Sequence, residues 1–195
     1  AVWRLVLEPR LESNIHNILA VILGTYLGDF PRSLREAETA LEISKRIEEM
    51  VLVGISHSAL GTLLVRIGKF KEAREHLEKS LELLTSTNSQ IRLYPAYEGL
   101  ALLELECGNP ETAYHYCGEI ERLNTRYHQR LYEISLLSLN AEVFLALGKP
   151  EVALELAREA TCLAFKREIH AYRSQYAAYR ALLALGQDYE AASVL

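Results

Sequence analysis

Five glycines, Gly28, Gly68, Gly108, Gly148 and Gly186, stand 40, 40, 40 and 38 residues apart in a chain of 195. Each opens a variation on one phrase. LGKPEVALELAREA from Leu147 is answered by LGDFPRSLREAETA from Leu27, IGKFKEAREHLEKS from Ile67, CGNPETAYHYCGEI from Cys107 and LGQDYEAASVL from Leu185. A fixed period of this length is the mark of a repeat architecture, in which each unit covers its apolar face with the next.

The residues after each glycine define one helix. Ala153, Ala157 and Ala160 fall at i, i+4 and i+7, on one stripe where a neighbouring helix can approach closely. The same offsets give Ser33, Ala37 and Ala40; Ala73, Leu77 and Ser80; and Ala113, Cys117 and Ile120. The glycine ends the preceding helix by adopting the left-handed conformation that side chains resist. In GNPE, Asn109 is expected to cap the next helix and Pro110 to occupy its first turn, as do Pro31 and Pro150. Phe30 and Phe70 are expected to plug the gap between the two helices. Another helix precedes each glycine, as in SHSALGTLLVRIG and SLNAEVFLALG. Each unit is thus helix A, a glycine turn, helix B and a looser connection. The connections are expected near Glu48–Met50, Thr85–Gln90, Asn124–Gln129 and Phe165–Glu168. The predicted fold is all-α, a right-handed superhelical solenoid of antiparallel helix pairs. It comprises an extension over residues 1–10, ambiguous between strand and helix in Ala1–Leu7, and an array over residues 11–195 of four full repeats and a truncated fifth.

Bulk properties narrow the function. The net charge of −5 argues against a nucleic-acid surface, which needs a basic face to displace counterions. The local gathering of Arg122, Arg126, His128 and Arg130 reads as a solvated loop. The strongest apolar segment, Ile15–Leu27, is too short to span a bilayer. Three cysteines, with no secretion signal, fit a cytoplasmic chain. The missing initiator Met and the array's abrupt end at Leu195 are expected of a piece of a larger protein.

The helix pair, the helix-ending glycine, the aromatic two residues later and the small residues beyond it resemble the tetratricopeptide repeat, over nearly all of the chain after Leu11. That family repeats every 34 residues, so the period of 40 implies longer helices. Arrays of this length resemble two groups: bacterial regulators of the maltose-regulator type, and scaffolds such as kinesin light chains and the LGN-type adaptors. The resemblance implies a protein-binding module. The leading expectation is a sensor or interaction domain of a bacterial signalling or transcription regulator, and the alternative is a free-standing scaffold that binds a partner helix.

A partner would lie on the A helices, three, six and ten places before each glycine. The candidate face comprises Ile18, Ile22, Ser58, Thr62, Val65, Glu98, Leu102, Leu105, Glu142, Tyr176 and Arg180. It is largely apolar in the first three units, with charge and an aromatic in the last two. The lysine clamp and the asparagine ladder, by which relatives grip extended peptides, have no counterpart on these helices. An apolar inner face suits a helix laid in a groove or a neighbouring domain of the same polypeptide. The helix Asn14–Leu27 is apolar nearly all round, which signals burial on several sides. Its cover is expected from Trp3, Val6 and Leu7, from a preceding domain, or from a second copy in a homodimer.

No catalytic constellation is written here. His115 and Cys117, at i and i+2, point to different helix faces, and no second ligand pair exists. Glu98 and Glu142 come from different units, and no phosphate loop, nucleophile elbow or dinucleotide fingerprint occurs. His16, His57, His76, His128 and His170 share no spacing. Tyr172, Tyr176 and Tyr179 are expected to pack between repeats, with ligand stacking as the alternative. The expectation is a non-enzymatic protein without cofactor, nucleic acid or membrane as partner.

Overall fold

The computed structural model describes residues 8–25, 27–127, 132–167 and 171–194, and among them every regular element is a helix. The helices are α1 (Pro9–Thr25), α2 (Phe30–Arg46), α3 (Met50–Arg66), α4 (Phe70–Ser86), α5 (Tyr94–Glu106), α6 (Pro110–Tyr127), α7 (Glu133–Ala146), α8 (Pro150–Lys166), α9 (Tyr172–Ala184) and α10 (Asp188–Ala192). A 3-10 turn, Gln90–Arg92, precedes α5. Ala1–Leu7, and with it the expected cover by Trp3, Val6 and Leu7, lies outside the described residues.

Two compact units divide within α5, Ala1–Leu103 and Glu104–Leu195. In the first, α1 packs on α2 and α3 on α4, while α2 and α1 also pack on α3. In the second, α6 packs on α7, α7 on α8, α8 on α9, and α9 on both α7 and α10. Every stripe residue read from the sequence is buried, from Ser33, Ala37 and Ala40 through Ala153, Ala157 and Ala160. Small side chains here set the distance at which A helices approach B helices. Leu77 of α4 shows the arrangement in reverse. A Cβ on Gly61 of α3 would come 2.5 Å from its Cγ, and one on Gly99 of α5 would come 2.5 Å from its Cδ2. The large side chain fills a slot that two glycines leave open.

The forty-residue period resolves into two halves of twenty. Both α3 and α4 have 17 residues, and each is followed by a three-residue turn. After α3, Gly68 donates to Val65 O and Lys69 to Leu64 O, the paired bonds of a Schellman turn. Gly68 has φ +80. The connections expected to be looser near Glu48–Met50 and Thr85–Gln90 are the same turn. Glu48 donates to Lys45 O and Glu49 to Ser44 O; Asn88 donates to Thr85 O and Ser89 to Leu84 O. Glu48 (φ 55) and Asn88 (φ 52) take the left-handed position, twenty residues after Gly28 and Gly68. The sequence hid these turns because no glycine marks them. The other two expected connections run partly into 128–131 and 168–170, outside the described residues.

Left-handed backbone costs a residue with a Cβ roughly 1–2 kcal/mol, of which glycine's greater unfolded-state freedom returns part. Glu48→Gly is therefore expected to stabilise the first unit by about 0.5–1 kcal/mol, read as a higher urea midpoint at unchanged slope. An unchanged or lower midpoint would contradict the turn geometry.

Two departures from the regular period have local causes. Pro95 occupies the place that Ile55 holds in α3; with no N–H it cannot bond back along a helix, so the first turn breaks off as Gln90–Arg92. The turn after α1 closes one residue wider than the turn after α3: Asp29 N reaches back six residues to Leu23 O, where Lys69 N reaches back five to Leu64 O. Caps also differ from expectation. Asp29 caps α2 by accepting from Arg32 N at 3.2 Å. Asn109 donates from Nδ2 to Glu104 Oε2 at 2.9 Å, holding a buried carboxylate where a cap on the next helix was expected.

Candidate functional site

The candidate face divides by unit. In the first, α1 presents Ile18 and Ile22 to solvent, α3 holds Thr62 half-buried, and α5 holds Glu98 and Leu102 half-buried. Ser58 and Val65 are buried. The extra residue in the α1–α2 turn accounts for part of this difference. Counting back from the glycine puts Ile18 and Ile22 level with Ser58 and Thr62. In the fold their counterparts on α3 are Ala59 and Leu63, one place further on, because contacts to the B helices match at a spacing of 41. His16 Nδ1 meets Glu36 Oε2 at 2.6 Å as His57 Nδ1 meets His76 Nδ1 at 3.0 Å. Ser13 Oγ reaches Ala40 O at 3.1 Å, where Ser80 Oγ reaches Gly54 O at 2.7 Å.

In the second unit, Leu105 and Glu142 are half-buried, and Glu142 Oε1 accepts from Arg173 Nε at 2.5 Å. On α9, Tyr176 is 55% exposed and Tyr172 68% exposed. The Arg180 guanidinium lies 6.0 Å from the Tyr176 ring, and Tyr176 and Tyr179 stack at 6.2 Å. The expectation that all three tyrosines pack between repeats holds for Tyr179 alone, which lies against the buried cluster of Ala177, Ala178, Ala181 and Leu182. That alanine face fills the contact with α7 and α8, and it leaves Tyr172 and Tyr176 outside. An exposed aromatic pair beside an arginine is the chemistry that interface anchors share.

No shared spacing pointed to a pairing of His57 with His76. They stand 19 residues apart, facing across α3 and α4, and their rings lie 4.9 Å apart. The legible signal is an A-helix residue and a B-helix residue about twenty apart. Burial is the first cause that lowers both imidazoles; for His57 the His76 ring and then Lys45 and Lys79 add to it, bringing it to about 4. For His76, Lys45 adds to burial, while Glu72 and Glu75 oppose. A depressed folded-state value means the unfolded chain binds the proton more readily. Stability is therefore complete above the unfolded value of 6.5 and is lost as pH falls from there toward 4. After solvent screening at this half-buried site the loss is about 1–2 kcal/mol. His57→Gln should flatten the urea midpoint between pH 6.5 and 4; an unchanged slope would show the pair does not titrate with folding.

The second unit also carries a depression of about 360 Å³ between α6, α7 and α8. Tyr114, His115, Arg122, Asn140 and Phe144 line it, and Gly118 opens it, with no atom within 4 Å of where a Cβ would stand. His115 is exposed beside it, and Cys117 is buried in the α6 stripe. Among the described residues, no group of three His, Cys, Asp or Glu side chains is placed to hold a metal ion. Among them also, no helix is long and apolar enough to cross a membrane.

Helices in consecutive pairs, closed by repeated left-handed turns and stacked through small-residue stripes, define a helical-repeat solenoid. The tetratricopeptide repeat family model matches residues 11–86, and the described helices beyond it continue the same helical-repeat fold. Two crystal structures of a candidate kinesin light chain of Podosopora anserina, with nearly identical TPR-like repeats, are similar. One is a single-substitution variant, 19% identical, with TM-score 0.64 over 95% of this chain and 92% of that one. The other is also 19% identical, with TM-score 0.63 over 97% and 93%. A thermophilic TPR protein of Thermus thermophilus aligns at 22% identity and TM-score 0.62, over 93% and 87%. Comparison with curated protein sequences finds no match. A fold of this kind supports a protein–protein interaction scaffold.

Proposed function

We propose that this chain holds a protein partner on the exposed side of its A helices, as the cytoplasmic sensor or interaction arm of a larger bacterial signalling or transcription regulator. The supporting observation is the α9 surface, where Tyr172, Tyr176 and Arg180 face solvent on a helix whose other side is packed alanine. Leu105 on α5 and Glu142 on α7 belong to the candidate surface of the second unit, and Ile18, Ile22, Thr62, Glu98 and Leu102 to that of the first. Ser58 and Val65, buried behind it, support the helices that carry it. Partner binding acts in such a regulator by favouring one arrangement of attached domains over another. The kinesin-light-chain likeness favours a second reading, a free-standing scaffold. A nucleotide-binding loop or a helix-turn-helix segment in the same polypeptide supports the regulator, and their absence from the full polypeptide supports the scaffold. The reading describes binding without catalysis, with no cofactor and no nucleic acid.

Tyr176→Ala with Arg180→Glu is expected to weaken a purified partner's affinity at least tenfold in titration calorimetry, with unchanged helical ellipticity. Retained affinity would contradict the assignment, as would loss caused instead by Glu75→Arg on the exposed side of α4.

A further inference from the structure

The strongest feature left over is the row Leu11, Ile15, Leu19 and Ile22 on α1, exposed by 50, 36, 39 and 41%. These residues stand at i, i+4, i+8 and i+11, so they form one stripe along the helix. The spacing of 41 that aligns α1 with α3 carries them onto Leu52, Ser56, Leu60 and Leu63. On α3 these four are buried, at 4, 0, 4 and 4% exposure. The preceding helix pair covers the last three. Leu60 and Leu63 join a cluster with Ala37 and Leu41 of α2 and Ala20 of α1, with Phe30 and Leu34 against it. Ser56 Oγ bonds Asn17 Nδ2 of α1 at 3.0 Å and Ser44 Oγ of α2 at 3.3 Å. The other buried positions of α1, namely Ser13, Asn17, Ala20, Leu23 and Gly24, map onto Gly54, Ser58, Gly61, Leu64 and Val65, all buried as well. The positions exposed on α1 and buried on α3 are the four of this stripe, which on α3 faces the preceding pair.

We infer that this row is the seat of the second helix of a further helix pair, stacked ahead of α1 in the same polypeptide. The established packing of α2 against α3 defines the occupant: an amphipathic helix that presents small and branched apolar side chains, as Leu34, Ala37 and Leu41 do, to an apolar stripe. On α1 the stripe is more apolar than its counterpart, because Ile15 stands where α3 has Ser56, so the occupant meets it without a serine partner such as Ser44. The row takes Ile22 from the candidate partner face of the first unit and leaves Ile18 to it; it includes none of the α9 side chains, so its occupation is tested independently of what those bind.

The test compares the polypeptide translated from its natural start with the chain 1–195, by amide hydrogen exchange along α1. The expected result is at least tenfold slower exchange of α1 in the longer protein, matching α3, with Leu19→Glu removing the difference. Three outcomes overturn the inference. One is a natural polypeptide with no helix pair ahead of Ala1, or one in which α1 exchanges as fast as in the chain 1–195. Another is α1 already as protected as α3 in the chain 1–195, which would mean that the chain's own first residues cover it. The third is a dimer of 1–195 in sedimentation velocity that Leu19→Glu dissociates, which would make a second copy the occupant.

Discussion

Leu77→Ala is expected to cost the first unit about 4 kcal/mol, near the upper part of the range for a fully buried leucine whose surroundings cannot collapse. Leu77 is wholly buried, and the backbones of Gly61 and Gly99 already approach it as closely as a helix allows. The walls of the cavity are two helices held by their other contacts, so little relaxation is available. Gly61→Ala alone is also expected to destabilise, by about 1–3 kcal/mol, because its Cβ would stand 2.5 Å from Leu77 Cγ. In the Leu77→Ala background the cost should shrink, because the clash with Leu77 is gone and a glycine leaves a helix interior, worth about 1 kcal/mol, while Ala73 O still stands 3.2 Å from the added methyl. Urea denaturation of the four proteins gives the coupling energy. Additive effects would show that the glycines and the leucine do not share one slot.

Ala153→Leu carries the second large effect. Ala153 lies fully buried on the α8 stripe, in a cluster with Ala141 of α7 and Ala177, Ala178 and Ala181 of α9. Three helices meet there through methyl groups, so a leucine must push one of them away. Overpacking of this kind costs roughly 1–3 kcal/mol. Ala153→Ser, which keeps the volume, should cost less than Ala153→Leu. A leucine variant that melts with the parent protein would show that the stripe is not a close contact.

The repeat and the small-residue stripes were open to sequence reasoning because each depends on side-chain size at a fixed helical spacing, which a single chain displays five times over. Left-handed glycines were equally open, since few other residues take that backbone. Glu48 was not, because it adopts the same geometry against its own preference, held by the turn's two hydrogen bonds; Asn88, a residue that tolerates this backbone, was passed over because only glycines were read as turn markers. The α1 register was hidden by one extra residue in its turn, and it displaced the first unit's face by one position. The α9 tyrosines were misjudged because their spacing also suits packing; only the neighbouring alanines at 177, 178 and 181 decide which side of the helix is inside. His57 and His76 needed the helix pairing itself before their proximity could be seen.

The claim beneath this account is that residues 30–89 are built from twenty-residue stretches, each a helix closed by a left-handed three-residue turn, whether or not a glycine stands in it. Backbone chemical shifts measure that directly. Helical shifts should run unbroken over residues 30–46, 50–66 and 70–86, with Glu48 and Asn88 carrying the left-handed signature shared by Gly68. Extended shifts at Glu48 or Asn88, or a non-helical stretch wider than the turn around either, would contradict it.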